Sequence, residues 1–161
     1  EDKMELIKFD VLETMKSIAH LLVQGDPKYA KHQITWKHEE LQYSIESDSS
    51  MFSLMIQNII SNALKYSSGQ KDPQVSIETK RIGKFIEITI VDNGIGFAPG
   101  SKEKLFNMFY REKRGNFEGT GVGLASALKI ADLLKAFIQA DGKEGKGATF
   151  IITIPVTFQS E

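Results

Sequence analysis

Two asparagines four residues apart, Asn58 and Asn62, lie in the run Leu54-Met55-Ile56-Gln57-Asn58-Ile59-Ile60-Ser61-Asn62-Ala63-Leu64-Lys65-Tyr66. On a helix this spacing puts both carboxamides on one face, with Lys65 three residues further along it. An amide oxygen is a hard neutral ligand suited to Mg2+, and an ammonium can meet phosphate. The stripe has the chemistry of a metal–phosphate group, and equally that of a solvated face opposite a buried one. A second group, Val91-Asp92-Asn93-Gly94-Ile95-Gly96, ends an apolar run. Asn and Gly tolerate positive φ, so Asp-Asn-Gly makes a turn, and glycines let a ligand approach the backbone. Asp92 would offer a carboxylate to an amino group of a base; read alone, the stretch is a hairpin turn. A third group, Gly119-Thr120-Gly121-Val122-Gly123-Leu124, opens an apolar helix. Glycines there expose backbone N–H groups at the positive end of the helix dipole, which suits phosphate. The pattern is neither a dinucleotide fingerprint, lacking the preceding strand and downstream acid, nor a P-loop, lacking Gly-Lys-Ser/Thr.

The elements that must hold these residues follow from periodicity and punctuation. Residues 10–24 read as an amphipathic helix with Val11, Leu12, Met15, Ile18, Ala19 and Leu22 on one face. Asp10 with Glu13 resembles a capping box, and Gly25-Asp26-Pro27 ends the helix. Residues 33–37 and 41–46 read as short strands. Asp48 and Ser49 offer cap oxygens to a helix over 50–66. Val75, Ile77 and Thr79, then Phe85, Ile86, Ile88 and Ile90 across Gly83, predict a hairpin. Residues 93–120, rich in glycine and charge, read as a long loop with one short helix near 102–109. A buried helix over 121–134 and two last strands, from Phe137 and from Thr149 to Val156, follow. This order predicts an α+β fold with helices on one face of a mixed sheet.

Composition narrows the classes. The chain has 161 residues, enough for one domain with a core. A net charge of -1 argues against a nucleic-acid or anionic-membrane surface. The absence of cysteine removes disulfides, thiolate metal sites and cysteine nucleophiles. No apolar run reaches the roughly 18 residues of a membrane span. The chain opens on Glu1 rather than Met, as a piece of a longer protein would. His20, His32 and His38 read as structural or surface side chains, Trp36 as sheet-edge packing, and Met51, Met55 and Met108 as core filler. The run Arg111 to Arg114 contains Glu112 and reads as a solvated loop surface.

Taken in order, Asn58/Asn62/Lys65, Asp92–Gly96, Leu105-Phe106-Asn107-Met108-Phe109-Tyr110-Arg111 and Gly119–Leu124 resemble the N, G1, F and G2 boxes of histidine kinase catalytic domains, in the GHKL superfamily. The likeness runs from Phe9-Asp10 to about Val156. It implies a Bergerat-type two-layer α/β sandwich, with a mixed, mostly antiparallel sheet, helices on one face and an ATP lid. It implies ATP and Mg2+ as ligands. Asp92 would hold the adenine amino group, with Gly94, Ile95 and Gly96 shaping the base pocket. Asn62 and Asn58 would face the metal and phosphates, and Lys65 and Tyr66 the phosphates and the nucleotide edge. Phe106 and Phe109 would anchor the lid. Gly119, Thr120, Gly121, Val122, Gly123 and Leu124 would supply hinge and phosphate amides. Arg111 and Arg114 would reach toward the γ-phosphate. Asn58, Lys65 and Arg111 would form the catalytic set.

Asn58 stands where the ATP-hydrolysing branches of the superfamily carry a water-activating glutamate. A neutral amide is a poor general base, which favours phosphoryl transfer to an imidazole over hydrolysis. The resemblance thus implies a protein histidine kinase domain whose acceptor histidine lies on a separate dimerisation domain, with a response regulator as indirect partner. Residues 1–9 would be linker, 10–157 the catalytic domain and 158–161 a tail. The piece would be a monomer in the cytoplasm with no membrane contact, its parent cytoplasmic or anchored in an inner membrane. Two other readings stay open: a silent nucleotide-binding sensor or scaffold, and an anti-sigma-factor-type serine kinase.

Overall fold

The computed structural model describes residues 3–39, 42–96 and 122–159. The chain runs through β1 (Leu6–Asp10), α1 (Val11–Gln24), a 3-10 turn (Pro27–Tyr29), β2 (Gln33–His38), β3 (Ser44–Asp48) and α2 (Ser49–Ser67). It continues through β4 (Gln74–Ile82), β5 (Phe85–Asp92), α3 (Val122–Leu134), β6 (Phe137–Lys143) and β7 (Gly147–Pro155). Five strands form one sheet in the order β2-β4-β5-β7-β6, and β1 pairs with β3 in a separate ribbon. Among the described strand pairs only β2–β4 is parallel, the other four being antiparallel, and an isolated parallel bridge joins Glu46 to Thr157. The fold class expected from the element order is the one observed.

Register explains why the helices cover one face. Ile77 pairs with Ile90 and Ile90 with Phe150, while Ile88 pairs with Ile152 and Ile86 with Ile154. All of these side chains are buried, whereas their neighbours Glu78, Thr89 and Thr153 on the other face are not. Strand side chains alternate between faces, so this register turns one whole face toward the helices. α2 supplies the matching stripe: Phe52, Met55, Ile56, Ile59, Ile60, Ala63 and Leu64 are buried at helical spacing. Each large member contributes roughly 1.5–3 kcal/mol by leaving water. α1 and α3 both pack against α2.

Both helix starts behave as their side chains predict. The Glu13 amide donates to Asp10 Oδ1 at 2.9 Å, and the Met51 amide to Asp48 Oδ1 at 3.0 Å. Asp48 is the cap and Ser49 the first helical residue, one position before the predicted start. The predicted strand over 41–46 is shifted to 44–48.

One strand has no counterpart in the sequence reading. Leu6–Asp10, which overlaps the stretch 1–9 expected as linker at all but Asp10, pairs antiparallel with β3, Leu6 opposite Asp48 and Asp10 opposite Ser44. Leu6, Ile7 and Lys8 are exposed, so the strand is held by its ladder and carries no alternating burial pattern. The Glu5 amide extends this attachment, donating to Asp48 Oδ2 at 3.0 Å. At the other end, the Phe158 amide donates to the Glu46 carbonyl at 2.9 Å. Lys135 Nζ reaches the Gln159 carbonyl.

Candidate nucleotide site

The long burial stripe of α2 leaves a polar side. Asn58, Asn62 and Tyr66 lie half-buried along its edge, and Lys65 is exposed, its Nζ 5.7 Å from the Tyr66 ring centroid. The same periodicity that fills the core therefore holds two amide oxygens and an ammonium in one row.

β5 delivers the second half. Its last residue, Asp92, is only 3% exposed. Gly94 N–H donates to Asp92 Oδ1 at 2.8 Å. Burial pushes the carboxyl above its ordinary value, opposed by the amides of Gly94 and Ala148. Asn93 is used structurally: its Oδ1 accepts from the Gln74 amide at 2.9 Å and its Nδ2 donates to the Asp72 carbonyl at 2.8 Å. This ties the end of β5 to the start of β4.

The two halves are joined through backbone. α2 ends at Ser67, so the Tyr66 carbonyl has no partner within the helix. It accepts from Ile95 N–H at 3.3 Å, and the Ile95 carbonyl accepts from Gly145 N–H at 2.7 Å. Gly94 is required by this closeness: a Cβ there would sit 2.3 Å from the Tyr66 carbonyl oxygen. Gly96 has φ +69°, and a Cβ would come 1.9 Å from the Lys143 carbonyl oxygen. The sequence reading gave these glycines to the approach of a ligand. The structure also gives each a reason within the protein, seating the loop between α2 and the β6–β7 turn.

The predicted residues thus fall into three sets. Asn58, Asn62, Lys65 and Tyr66 share α2, and Asp92, Gly94, Ile95 and Gly96 form the loop seated against its last turn. Val122 and Gly123 open α3, and Leu124 is buried. Phe106, Phe109, Arg111, Arg114, Gly119, Thr120, Gly121 and the helix predicted near 102–109 lie outside the described residues.

Three contributors escaped the sequence reading. Gly147, in the turn between β6 and β7, has φ +95°, and a Cβ would lie 2.1 Å from the Asp92 carbonyl oxygen. Ala148, paired with Asp92 across β5 and β7, supplies an amide to its carboxylate. His32 binds the end of α2, its Nε2 lying 3.0 Å from the Leu64 carbonyl. The Gly145–Gly147 spacing was the only local signal, and it points equally to any tight turn.

The chemistry of this set fits a nucleotide with a divalent cation. A buried carboxylate at a strand end accepts from an amino group and excludes water from that bond. Among the described residues no group of three or more His, Asp or Glu side chains could hold a metal ion. Amide oxygens such as those of Asn58 and Asn62 are hard neutral donors of the kind Mg2+ accepts. A separate cleft of 650 Å3, lined by Arg81, Phe85, Lys135 and Phe137 among others, lies at the opposite end of β5 and contains none of these groups.

Comparison with known proteins agrees. The family described as histidine kinase-, DNA gyrase B-, and HSP90-like ATPase matches residues 47–157, a span that holds α2, the Asp92–Gly96 loop and α3 but not His32. The chain belongs to this family. It is an ATP-binding domain of the kind that sensor histidine kinases carry. It is 31% identical over 153 residues to cyanobacterial phytochrome A of Nostoc sp. (strain PCC 7120), covering 94% of this chain and 20% of that protein. It is 36% identical over 120 residues to sensor histidine kinase WalK of Bacillus subtilis, covering 73% of this chain and 20% of that protein. The chain thus spans about a fifth of the length of these relatives. Among solved structures, the catalytic domain of histidine kinase ThkA superposes with a TM-score of 0.79 at 20% identity, covering 97% of this chain and all of that one. Full-length ShkA in complex with AMPPNP gives 0.78 at 21% identity, covering 99% of this chain and 33% of that one. At such identities the structures speak to fold alone. No helix of the described residues is long and apolar enough to cross a membrane.

Proposed function

We propose that this family member binds ATP with Mg2+ and passes the γ-phosphoryl group to a histidine on a separate dimerisation domain of its parent protein. The observation that carries the reading is the seating of the Asp92–Ile95 loop on the last turn of α2 through Ile95 N–H and the Tyr66 carbonyl. It gathers a base-binding carboxylate and a phosphate-facing amide row into one site. Asp92 accepts from the adenine amino group. Asn58 and Asn62 turn their amide oxygens to the cation, and Lys65 its ammonium to the phosphates. When bound, Mg2+ neutralises charge on the phosphate oxygens. The resemblance gives Arg111 and Arg114 to the γ-phosphate, and the amides from Gly119 to Gly123 to the phosphate chain.

Transfer then needs positioning more than acid–base chemistry. A neutral imidazole nitrogen attacks γ-phosphorus, the bond to the β–γ bridging oxygen breaks, and ADP leaves with that electron pair. The ring's other N–H proton passes to water. Asn58 favours this course over hydrolysis, since an amide does not deprotonate water. A domain working on ATP in this way belongs in the cytoplasm, as a monomer when separated from its dimerisation helices, with a response regulator as final recipient.

The test is calorimetric titration with the non-hydrolysable analogue AMPPNP, with and without Mg2+, followed by incubation of the parent protein with labelled ATP. Metal-dependent binding and an acid-labile phosphoryl label are expected. Failure of the wild-type domain to bind the nucleotide would overturn the reading, and an acid-stable phosphoserine on a partner would replace it.

A further inference from the structure

The C-terminus of α2 is finished by groups from several segments. Ser67 Oγ donates to the Ala63 carbonyl at 2.6 Å, and Ser68 Oγ to the Lys65 carbonyl at 2.7 Å. The Tyr66 carbonyl takes Ile95 N–H. The Leu64 carbonyl takes a side chain from outside the helix: His32 Nε2 lies 3.0 Å from it and 3.0 Å from Ser67 Oγ.

These partners decide the tautomer. A carbonyl only accepts, and the Ser67 hydroxyl proton is engaged by Ala63, so its oxygen accepts as well. Nε2 must therefore carry hydrogen and share it between the two. His32 is itself anchored, its backbone N–H donating to the Tyr29 carbonyl at 3.1 Å and its ring meeting the Tyr29 ring edge-on, centroids 5.2 Å apart. The ring is thus a rigid strut between the segment before β2 and the last turn of α2.

We propose that His32 is a positioning residue for the nucleotide site: its Nε2–H clamps the final turn of α2, from which Lys65 and Tyr66 project and on which the Asp92–Ile95 loop is seated. This rests on the nucleotide-binding reading above. Leu64 and Ser67 flank Lys65 and Tyr66 in sequence, so a turn freed at those two points loosens the residues between them. The Tyr66 carbonyl that receives Ile95 belongs to the same turn.

The clamp acts as a neutral imidazole. Nδ1 is buried and, among the described residues, has no hydrogen-bond partner. Burial pushes the ring below its ordinary 6.5, and the Leu64 and Tyr29 carbonyls only partly offset this. The groups facing it offer little relief to a second proton. From α1, Lys16 and His20 line the same groove. The 3-10 turn presents the Tyr29 ring, with Lys28 5.1 Å from its centroid and paired at 3.6 Å with Asp26. No carboxylate lines that groove among the described residues. Protonation at Nδ1 therefore strains the clamp and weakens the site it supports.

The experiment is AMPPNP–Mg2+ titration of wild type, His32→Ala and His32→Gln, above and below pH 6.5, at temperatures where circular dichroism shows each protein folded. His32→Ala is expected to bind roughly tenfold more weakly at neutral pH, the loss of one buried donor. His32→Gln, which keeps a side-chain N–H, should recover part of that affinity. As pH falls below 6.5 toward the ring's lowered value, wild-type affinity should drop more steeply than that of His32→Gln; Asp92 is common to both and cancels. Wild-type affinity in folded His32→Ala, or parallel pH profiles of wild type and His32→Gln, would sink the clamp while leaving the nucleotide reading intact. If His32→Ala does not fold, the His32→Gln comparison decides alone. Absence of binding by wild type would take down both.

Discussion

The amide of Ile95 donates to the carbonyl of Tyr66 at 3.3 Å, and this bond joins the loop after β5 to the helix that carries Asn58 and Asn62. Gly94 stands between them, leaving no room for a side chain. Gly94→Ala should therefore cost about 1–3 kcal/mol, the range for forcing an extra methyl into a packed site. Nucleotide affinity should fall with it, because the loop can relieve the clash only by leaving α2. Urea unfolding and AMPPNP titration of the same sample check both. Unchanged affinity would mean that the seating is not needed for binding.

Asp92→Asn should separate binding from stability. Burial raises the Asp92 carboxyl above its ordinary 3.8, so the fold prefers it neutral. The ionised form opposes folding; that opposition is fully present above the raised value and fades as pH falls through it toward 3.8. An uncharged Asn removes it, so thermal stability at neutral pH should hold or rise. Affinity for the nucleotide should fall about 10- to 100-fold, the loss of a buried hydrogen bond to a charged acceptor. In wild type, affinity should decline as acid protonates the carboxylate. A destabilised variant with wild-type affinity would contradict both arguments.

Asn62→Ala should abolish the metal dependence of binding while leaving the fold within about 0.5 kcal/mol of wild type, as a half-buried residue outside the core stripe should. Titrations with and without Mg2+ give the first quantity, and urea midpoints the second.

Asp48→Ala should destabilise by about 2 kcal/mol, beyond the roughly 1 kcal/mol of an ordinary helix cap. Both carboxylate oxygens are engaged, one by the Met51 amide and one by the Glu5 amide, and the residue is 7% exposed. Amide exchange should quicken both in the first turn of α2 and around Glu5. Loss confined to α2 would show that the Glu5 bond adds nothing.

Much of this was legible in the sequence because its causes are local. The caps at Asp10 and Asp48, the burial stripe from Phe52 to Leu64 and the β4–β5 hairpin each arise among residues close along the chain, where periodicity and turn chemistry are written. The four ordered boxes led to the family for the same reason: each is a short string. What only the tertiary structure decided depends on partners far apart. β1 is a strand because β3 lies beside it, more than thirty residues later, and it buries too little to show a pattern. β2 runs parallel to β4 across the intervening β3 and α2, a pairing that no adjacent residue specifies. His32 looked like any surface histidine until Leu64 and Ser67 came within reach of its ring. Gly94, Gly96 and Gly147 were visible as glycines, but the carbonyls that forbid them a side chain belong to Tyr66, Lys143 and Asp92. Backbone-to-backbone approach of this kind is set by how the elements stack, and only the folded chain brings those atoms together.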